Sequence, residues 1–436
     1  MSLDFEVSPG GAIRGQLRVP GDKSISHRSV MLASIAEGRS EVNGFLEGED
    51  SLATLRAFRA MGVQVTGPEN GTLRIEGVGL HGLIAPEQTL DLGNSGTSMR
   101  LMAGLLCAQA FDCQLIGDGS LMNRPMARVV KPLSLMGAQI STGENGCPPL
   151  SIKGGASLHG IDHQLEVASA QVKSALLLAG LYADGRTVVR EPAPTRDHTE
   201  RMLRGFGYEV EVDGPLRAVQ GGAQLHGARI DVPADISSAA FFLVAASIAP
   251  NSELLLQHVG MNPTRVGVIN ILRLMGANIE VVSEQEVGGE PVADLLVRSA
   301  PLQGIEIPVD QVPLAIDEFP VLFVAAACAS GRTVLRGAEE LRVKESDRLE
   351  AMANGLRKMG VQVDTWEDGL EITGGPLTGA QIDSHGDHRI AMAFAVAALR
   401  ASGTVRINDC ANVATSFPRF VELSADVGLQ VAVATD

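Results

Sequence analysis

Aromatic residues, cysteine pairs and long apolar runs are scarce in this chain of 436 residues. Aromatic side chains make up 3% of the sequence, so its hydrophobic cores must be built from Ala, Val, Leu, Ile and Met. The five cysteines are an odd number and include no Cys-x-x-Cys pair, which argues against a disulfide framework or a structural zinc site. This cysteine usage is typical of a reduced, cytoplasmic compartment.

Membrane and secretion signals are missing as well. Apolar runs such as Phe241–Ile248, Val321–Ala329 and Ile390–Leu399 are shorter than the about 20 residues of a membrane-spanning helix, so they predict buried helices. The first residues, Met1–Glu6, have neither the basic nor the apolar region of a signal peptide. We therefore expect a soluble cytoplasmic protein with no membrane partner.

Positive charge is in deficit. The chain has 35 Lys and Arg against 51 Asp and Glu, a formal net charge of −16. This balance argues against nucleic acid as a partner, and any basic site must be a local cluster in an acidic background. The length exceeds what one hydrophobic core usually supports, so two or more domains are expected.

What the chain does have is a repeat. A helix that ends in glycine and runs into β-type alternation occurs six times, at spacings of 75, 70, 69, 84 and 68 residues. The glycine is typical of a left-handed helix C-cap, and the alternation is typical of a half-buried strand. Self-similarity at this length indicates one supersecondary unit that has been copied. The repeated glycines are Gly62, Gly137, Gly207, Gly276, Gly360 and Gly428.

Each copy begins with a polar turn that carries helix-capping residues and continues into a helix that is apolar nearly all round. The order of segments predicts a strand–helix–strand–helix–strand–strand unit whose first helix is buried. We therefore expect an α/β fold of two domains, 21–232 and 233–436, with residues 1–20 completing the second. The inner helices would then point their N-termini into a cleft between the domains.

Basic residues are concentrated at these polar turns, although Lys and Arg at a helix N-terminus oppose the helix dipole. Ser24 and Arg28, for example, lie one helical turn apart on the same face. Any one of these cations could form an ordinary surface ion pair, but the set indicates a site for several anionic groups. The cations are Lys23, Arg28, Arg100, Arg124, Lys344, Arg348 and Arg389.

Two carboxylates lie among these cations. Asp317 precedes an apolar helix and Glu345 follows Lys344; a carboxylate in such surroundings stays ionised and can act as a base or stabilise a developing cation. The competing interpretation, in which Asp317 caps its helix and Glu345 pairs with a neighbour, agrees equally with the spacing. The segment Asp383–His388 has no known metal-ligand spacing, so we expect a loop and a helix cap there and no metal.

Motifs of several residues recur at these turns along the whole chain. They are Gly21–Arg28, Leu92–Thr97, Arg124–Met126, Ser169–Lys173, Arg196–Glu200, Asn262–Arg265, Asp317–Glu318, Arg342–Arg348 and Asp387–Arg389. Together these segments resemble the family of 5-enolpyruvylshikimate-3-phosphate (EPSP) synthases. The Ser-Ala-Gln, Arg-x-His-x-Glu and Asn-Pro-Thr-Arg forms are similar to the second class of that family.

The resemblance implies a two-domain inside-out α/β barrel of six βαβαββ units, with the active site in the cleft, no metal or organic cofactor, and a monomeric state. It also implies a reaction. The enolpyruvyl group of phosphoenolpyruvate would pass to the 5-hydroxyl of shikimate 3-phosphate with release of phosphate, a step of the shikimate pathway towards chorismate and the aromatic amino acids.

Carried over position by position, the resemblance also assigns roles. Asp317 would take the proton of the 5-hydroxyl, Glu345 would handle the proton at C3 of phosphoenolpyruvate, and Lys23 would assist the departing phosphate. Ala170 stands where other members have Ser, so only its backbone N–H could bind substrate. Shikimate 3-phosphate would be held by Ser24, Arg28, Ser169, Ala170, Gln171 and Arg196. Phosphoenolpyruvate would be surrounded by Lys23, Gly96, Arg124, Lys344, Arg348 and Arg389.

Two positions depart from the family pattern. Glyphosate-tolerant members of the second class carry Ala where this chain has Gly96, so glyphosate is expected to compete with phosphoenolpyruvate here. Thr415 stands where first-class members have a Lys, so one cation of that site is absent.

Two other functions stay open. The sister enolpyruvyl transferase of cell-wall synthesis acts on a uridine-diphosphate sugar and typically uses a Cys five residues before its Arg-Pro motif; here that position is Gly119. A non-catalytic protein that binds phosphorylated ligands on the same scaffold is the second alternative. Such a protein would not need both Asp317 and Glu345 among its cations.

Overall fold

A computed structural model describes residues 3–435, and the chain divides into two compact units, Gly21–Val232 and Met1–Pro20 with Pro233–Asp436. The helices are α1 Lys23–Ile35, α2 Glu49–Ala60, α3 Gly96–Leu106, α4 Ala127–Leu135, α5 Ala170–Gly180, α6 His198–Gly205, α7 Ile236–Ile248, α8 Gly267–Leu274, α9 Phe319–Cys328, α10 Arg348–Lys358, α11 His388–Ala397 and α12 Phe420–Val427.

The strands are β1 Leu3–Val7, β2 Arg14–Leu17, β3 Glu37–Asn43, β4 Gln64–Glu69, β5 Thr72–Val78, β6 Leu90–Asp91, β7 Cys113–Ile116, β8 Gln139–Ser141, β9 Leu150–Lys153, β10 Asp162–Gln164, β11 Arg186–Arg190, β12 Glu211–Asp213, β13 Leu216–Gln220, β14 Arg229–Asp231, β15 Glu253–Gly260, β16 Asn278–Val287, β17 Glu290–Arg298, β18 Arg332–Leu335, β19 Gln362–Trp366, β20 Gly369–Thr373, β21 Gln381–Asp383, β22 Val405–Asn408 and β23 Val431–Thr435.

The unit Gly21–Val232 contains one sheet for each of its three repeats. The strand orders are β14-β3-β5-β4, β6-β7-β9-β8 and β10-β11-β13-β12, and in each sheet the first two strands are parallel and the others antiparallel. The last strand in sequence, β14, pairs with β3 of the first repeat, opposing Arg229 to Glu41. The strand β14, at the end of this unit, thus takes the edge position in the sheet of the first repeat.

The N-terminal strands belong to the other unit. Its sheets have the orders β16-β17-β15-β2, β18-β20-β19 and β21-β22-β1-β23. Strand β2 runs parallel to β15, and β1 lies antiparallel between β22 and β23. The chain therefore enters this unit with β1 and β2, passes through the whole of Gly21–Val232, and returns at Pro233.

One repeat departs from the expected strand–helix–strand–helix–strand–strand order. Before α9 the strand is reduced to two isolated parallel bridges, Gln303 with Ser330 and Glu306 with Val334. Pro308 follows this segment directly, and proline has no backbone N–H to donate to a ladder. The sheet of the fifth repeat consequently has three strands where its neighbours have four.

In each unit the first helix of every repeat lies in the core. The inner helices are α1, α3 and α5 in one unit and α7, α9 and α11 in the other, and α7 is buried along its whole length. The apolar runs Phe241–Ile248 and Val321–Ala329 lie mainly in α7 and α9, so the prediction of buried helices is confirmed. None of the helices in residues 3–435 is long and apolar enough to span a membrane.

The repeated glycines end the outer helices as the sequence predicts. All six have a positive φ, between 82° and 106°. A side chain with a Cβ would be strained in this left-handed region, so the same backbone turn recurs six times along the chain.

Close packing of α3 against α5 leads to a prediction about stability. A Cβ at Gly104 would lie 2.1 Å from the carbonyl oxygen of Ala175, so Gly104→Ala forces the two helices apart. We expect the clash to lower the free energy of unfolding by about 1–3 kcal/mol. This cost outweighs the higher helix propensity of Ala, which is worth about 1 kcal/mol relative to Gly. Gly205→Ala, at the end of α6 with nothing within 4 Å of its Cβ, is the control and should not lose stability. Thermal unfolding midpoints compare the two, and equal midpoints would contradict the close approach.

Candidate active site

The first turn of α1 places two cations of the predicted site. The Oδ1 of Asp22 caps the helix by accepting the backbone N–H of Ile25 at 2.9 Å. The Lys23 ammonium forms an ion pair with Asp50 in the first turn of α2. Arg28, one turn further on, donates from Nη1 to the carbonyl oxygen of Ser24 at 2.9 Å. Lys23 and Arg28 therefore both lie near the N-terminus of the buried helix α1.

The second inner helix begins with a glycine that leaves room for arginine. Ser95 caps α3, its Oγ accepting the backbone N–H of Ser98 at 3.1 Å, and Gly96 is the first helical residue. A Cβ at Gly96 would lie 2.8 Å from Nη1 of Arg100 and 3.2 Å from Nη1 of Arg124. Two guanidinium groups therefore lie over the first turn of α3.

Side chains of α3 and α5 orient each other at the same end of the unit. Arg100 donates from Nη1 to Oε1 of Gln171 at 2.7 Å, and Gln171 donates from Nε2 to Oγ1 of Thr97 at 3.0 Å. Arg124 donates from Nη2 to Oδ1 of Asn94 at 2.7 Å. Gln171, predicted to bind substrate, is thereby fixed beside the predicted phosphoenolpyruvate residues of the same unit.

The remaining predicted residues of this unit lie at the starts of α5 and α6. Ser169 caps α5, with its Oγ 3.4 Å from the backbone N of Val172, and Ala170 is the first helical residue. Arg196 lies in the loop just before α6, which begins at His198. We call the predicted residues of this unit the Lys23 cluster: Lys23, Ser24, Arg28, Gly96, Arg124, Ser169, Ala170, Gln171 and Arg196.

In the other unit, Asp317 faces two cations. Its Oδ1 lies 3.5 Å from Nζ of Lys344 and 3.4 Å from Nη1 of Arg348. The side chain is 16% exposed, so the carboxylate is partly shielded and still reachable. The N-cap residue of α9 is Glu318, not Asp317, so the interpretation of Asp317 as a helix cap is wrong.

Arg348 is a fully buried cation held by carboxylates. Its side chain is 1% exposed, and it donates from Nε to Oδ2 of Asp387 at 2.8 Å and from Nη2 to Oε2 of Glu345 at 2.6 Å. Burial by itself lowers the pKa of Arg348, but Asp387 and Glu345 outweigh it, so the pKa stays above its ordinary value. Glu345 thus pairs with a neighbour, Arg348, as one of the two interpretations of its role expects.

Arg389 completes this group through the backbone. Its Nη1 donates to the carbonyl oxygen of Asp317 at 2.9 Å and lies 3.8 Å from Oε1 of Glu318. The cation therefore lies against the residue that carries the candidate base. We call Asp317, Lys344, Glu345, Arg348 and Arg389 the Asp317 cluster.

Such a cluster suits acid–base chemistry on an anionic substrate. Three cations can bind phosphate or carboxylate groups, and the Asp317 carboxylate lies within 3.5 Å of two of them. A carboxylate beside a reacting centre can accept a proton or stabilise a developing positive charge. The Asp317 cluster contains both kinds of group.

Comparison with known proteins identifies the family. The EPSP synthase (3-phosphoshikimate 1-carboxyvinyltransferase) family model matches residues 7–423. The 3-phosphoshikimate 1-carboxyvinyltransferase of Alkalilimnicola ehrlichii is 65% identical over 428 residues, which is 98% of this chain and 96% of that protein. That of Methylococcus capsulatus is 64% identical over 429 residues, 98% of each. The chain belongs to the EPSP synthase family.

A solved structure agrees. An EPSP synthase from Acinetobacter baumannii superimposes with a TM-score of 0.91 at 56% identity and covers 99% of this chain and 100% of its own. The α/β fold class and the 3-phosphoshikimate 1-carboxyvinyltransferase activity expected from the sequence are confirmed. The UDP-sugar transferase and the non-catalytic binding protein are set aside by the same matches.

The segment Asp383–His388 forms a loop and a helix cap. Oδ1 of Asp383 accepts the backbone N–H of His385 at 2.8 Å, and Oδ1 of Asp387 accepts that of Arg389 at 2.9 Å. Asp387 also holds Arg348, a role for which the sequence offers no signal. In this EPSP synthase family member, the cap of α11 is therefore also the counterion of a candidate substrate cation.

Sequence reasoning also missed His27. Its Nδ1 lies 2.8 Å from Oγ1 of Thr54 and 3.1 Å from Oγ of Ser98, and it is fully buried in α1. Burial first, and then the charges of Lys23 and Arg28, hold the pKa of His27 well below its usual value. A neutral imidazole thus ties α1 to α2 and α3 behind the Lys23 cluster. No local signal distinguishes His27, because several other polar residues surround it in the first half of α1.

The Arg348–Asp387 pair predicts a pH-dependent stability. Burial raises the pKa of Asp387, but Arg348 outweighs it and holds the pKa below its ordinary value. Asp387→Asn leaves a buried guanidinium short of its counterion, and we expect a loss of about 3–5 kcal/mol at pH 7. Because the Asp387 pKa is depressed, the wild-type advantage is present at neutral pH and shrinks as pH falls below about 4.

The control is Glu350→Gln on the same helix, α10, whose carboxylate lies 3.7 Å from Arg357 at the surface. An exposed pair contributes about 0–1 kcal/mol, so this variant should unfold close to wild type. Urea unfolding at several pH values compares the three proteins. A pH-independent difference between wild type and Asp387→Asn would contradict the assigned linkage.

Proposed function

We propose that the Lys23 cluster and the Asp317 cluster together bind the two substrates of the enolpyruvyl transfer, and that catalysis draws on residues of both units. Shikimate 3-phosphate is bound by Ser24, Arg28, Ser169, the backbone N–H of Ala170, Gln171 and Arg196. Phosphoenolpyruvate is bound by Lys23, Gly96, Arg124, Lys344, Arg348 and Arg389.

The observation that carries this proposal is the position of Asp317 against Lys344 and Arg348, with Arg389 on its own carbonyl oxygen. A trianionic substrate needs several cations, and the transfer also needs a base for a hydroxyl proton. Asp387 compensates the buried Arg348 from within the fold, whereas Lys344 is 20% exposed beside Asp317. Asp317 is itself 16% exposed, so a substrate hydroxyl can reach it.

The proposed steps balance as an addition followed by an elimination. The 5-hydroxyl oxygen bonds to C2 of phosphoenolpyruvate and loses its proton to Asp317, while C3 takes a proton from Glu345, which enters this step as the carboxylic acid and leaves it as the carboxylate. The positive charge that builds at C2 is stabilised by the nearby carboxylate. In the second step Glu345 removes a proton from C3, the C2–O bond to phosphate breaks, and Lys23 supplies a proton to the departing phosphate. Transfer of the proton from Asp317 to Lys23 through solvent then restores both side chains.

We propose that the protein acts in the cytoplasm with neither nucleic acid nor a membrane as partner, and that it acts as a monomer, as the family resemblance implies. The formal charge of −16 supports the exclusion of anionic polymers, and all five cysteines are free.

Asp317→Ala tests the mechanism. We expect phosphate release to require both substrates in the wild type and to fall at least about a hundredfold in the variant, because the general base is lost. Calorimetric binding of shikimate 3-phosphate should stay measurable. Asp310→Ala, an exposed aspartate ahead of the same helix, is the control and should keep its activity. Retained turnover in Asp317→Ala would remove Asp317 from the mechanism.

Gly96 leads to a prediction about glyphosate. With Gly96 in place, glyphosate should inhibit phosphate release competitively with phosphoenolpyruvate. In Gly96→Ala the Cβ must displace the guanidinium groups of Arg100 and Arg124, so we expect weaker glyphosate inhibition and a higher KM for phosphoenolpyruvate. Gly119→Ala, with nothing within 4 Å of its Cβ, should match the wild type. Normal wild-type activity in excess glyphosate would refute this prediction.

A further inference from the structure

Arg28 is a buried cation whose side chain is oriented by neutral oxygens. The residue is 4% exposed. Its Nε donates to Oγ1 of Thr199 at 2.7 Å, its Nη2 to Oγ of Ser174 at 2.9 Å, and its Nη1 to the Ser24 carbonyl oxygen at 2.9 Å. Three contacts on three nitrogens fix both the position and the plane of the guanidinium.

The chemistry of these contacts differs from that around Arg348. Carboxylates hold Arg348 and compensate its charge. Hydroxyl and carbonyl oxygens accept the three hydrogen bonds that orient the Arg28 guanidinium. A cation that is held in this way is prepared to bind an anion, because the cost of ordering its side chain has been met in advance.

The two hydroxyls come from two different helices. Ser174 lies on α5 and Thr199 on α6, and Oγ1 of Thr199 donates to Oγ of Ser174 at 2.7 Å. Both hydroxyls can reach Arg28 only when α5 and α6 keep this spacing. The first turn of α5 and the loop before α6 also carry Ser169, Gln171 and Arg196.

A buried ion pair ties the same helices at the adjacent positions. Nζ of Lys173 lies 2.7 Å from Oε1 of Glu200 and 3.1 Å from Oε1 of Glu191, and the Lys173 side chain is 0% exposed. Arg217 balances the second carboxylate, with its Nη2 3.4 Å from Oε2 of Glu191. Lys173 directly precedes Ser174, and Glu200 directly follows Thr199, so the ion pair sets the register of the hydroxyl pair.

We propose that Ser174 and Thr199 are positioning residues that hold Arg28 in the orientation in which it binds shikimate 3-phosphate, with the Lys173–Glu200 pair setting the spacing of α5 and α6 that this requires. This inference rests on the proposed role of Arg28 in binding that substrate. It extends the site to side chains that do not themselves touch the substrate.

The test is a matched pair of substitutions at position 199. Thr199→Val keeps the shape and removes the hydroxyl, so Nε of Arg28 loses its acceptor; we expect the KM for shikimate 3-phosphate to rise about tenfold. Thr199→Ser keeps the hydroxyl and should stay within about twofold of wild type. The KM for phosphoenolpyruvate should change less than about twofold in both, because Arg28 is outside that group of residues.

A merely structural role would lower the unfolding temperature and the active fraction without changing either KM, and this result in Thr199→Val would overturn the proposal. If Thr199→Val does not fold, Ser174→Ala, with Ser174→Thr as its match, tests the contact at Nη2 of Arg28 in the same way.

Glu200→Asp tests the Lys173–Glu200 ion pair, because it moves the carboxylate away from Lys173 and leaves the contacts of Arg28 in place. A raised KM for shikimate 3-phosphate supports the pair, and a lower unfolding temperature alone refutes its positioning role.

Arg28→Lys separates this inference from the proposed function. If Arg28→Lys raises the KM for shikimate 3-phosphate and Thr199→Val leaves it unchanged, Arg28 binds substrate and the positioning role is wrong. If neither changes this KM, the assignment of Arg28 to the substrate fails together with the inference. Absence of phosphate release in the wild type would instead contradict the activity itself.

Discussion

The N-termini of buried helices are the constraint on which this site depends. The six inner helices are packed inside their units, and many of their polar side chains lie in the first two turns. In the first turn the backbone N–H groups need acceptors and the helix dipole favours negative charge. Side chains such as Asp22, Ser95 and Asp387 supply some of those acceptors. Anionic substrates, on the proposed function, supply the rest.

Arginine and lysine are unfavourable at helix N-termini unless other groups compensate their positive charge. The two units compensate this charge in different ways. In the Asp317 cluster the compensation is by carboxylates: Asp387 and Glu345 hold Arg348, and Glu318 lies near Arg389. In the Lys23 cluster Asp50 pairs with Lys23 and hydroxyls orient Arg28, while the Gln171 side chain orients the neighbouring Arg100. The first arrangement suits proton transfer beside a base, and the second suits the binding of a charged substrate.

The sequence predicted the fold class and the repeat because both depend on local patterns. Glycine at the end of a helix and apolar helices after polar turns need no knowledge of the tertiary structure, and the positive φ at Gly62 and its five counterparts follows from them. The roles of Ser174, Thr199 and Glu318 could not be predicted in this way. Thr199 reaches Arg28 across 171 positions of sequence and Ser174 across 146, distances over which no local pattern carries information.

The ambiguity over Asp317 shows where spacing reaches its limit. An aspartate before an apolar helix is equally the pattern of a cap and of a catalytic base, because both need a carboxylate at the positive end of the dipole. The backbone decides: with Glu318 as the N-cap residue, the Asp317 side chain turns towards Lys344 and Arg348. An offset of one residue along the chain thus decides which carboxylate faces Lys344 and Arg348. On the proposed function, this offset places the general base beside its cations.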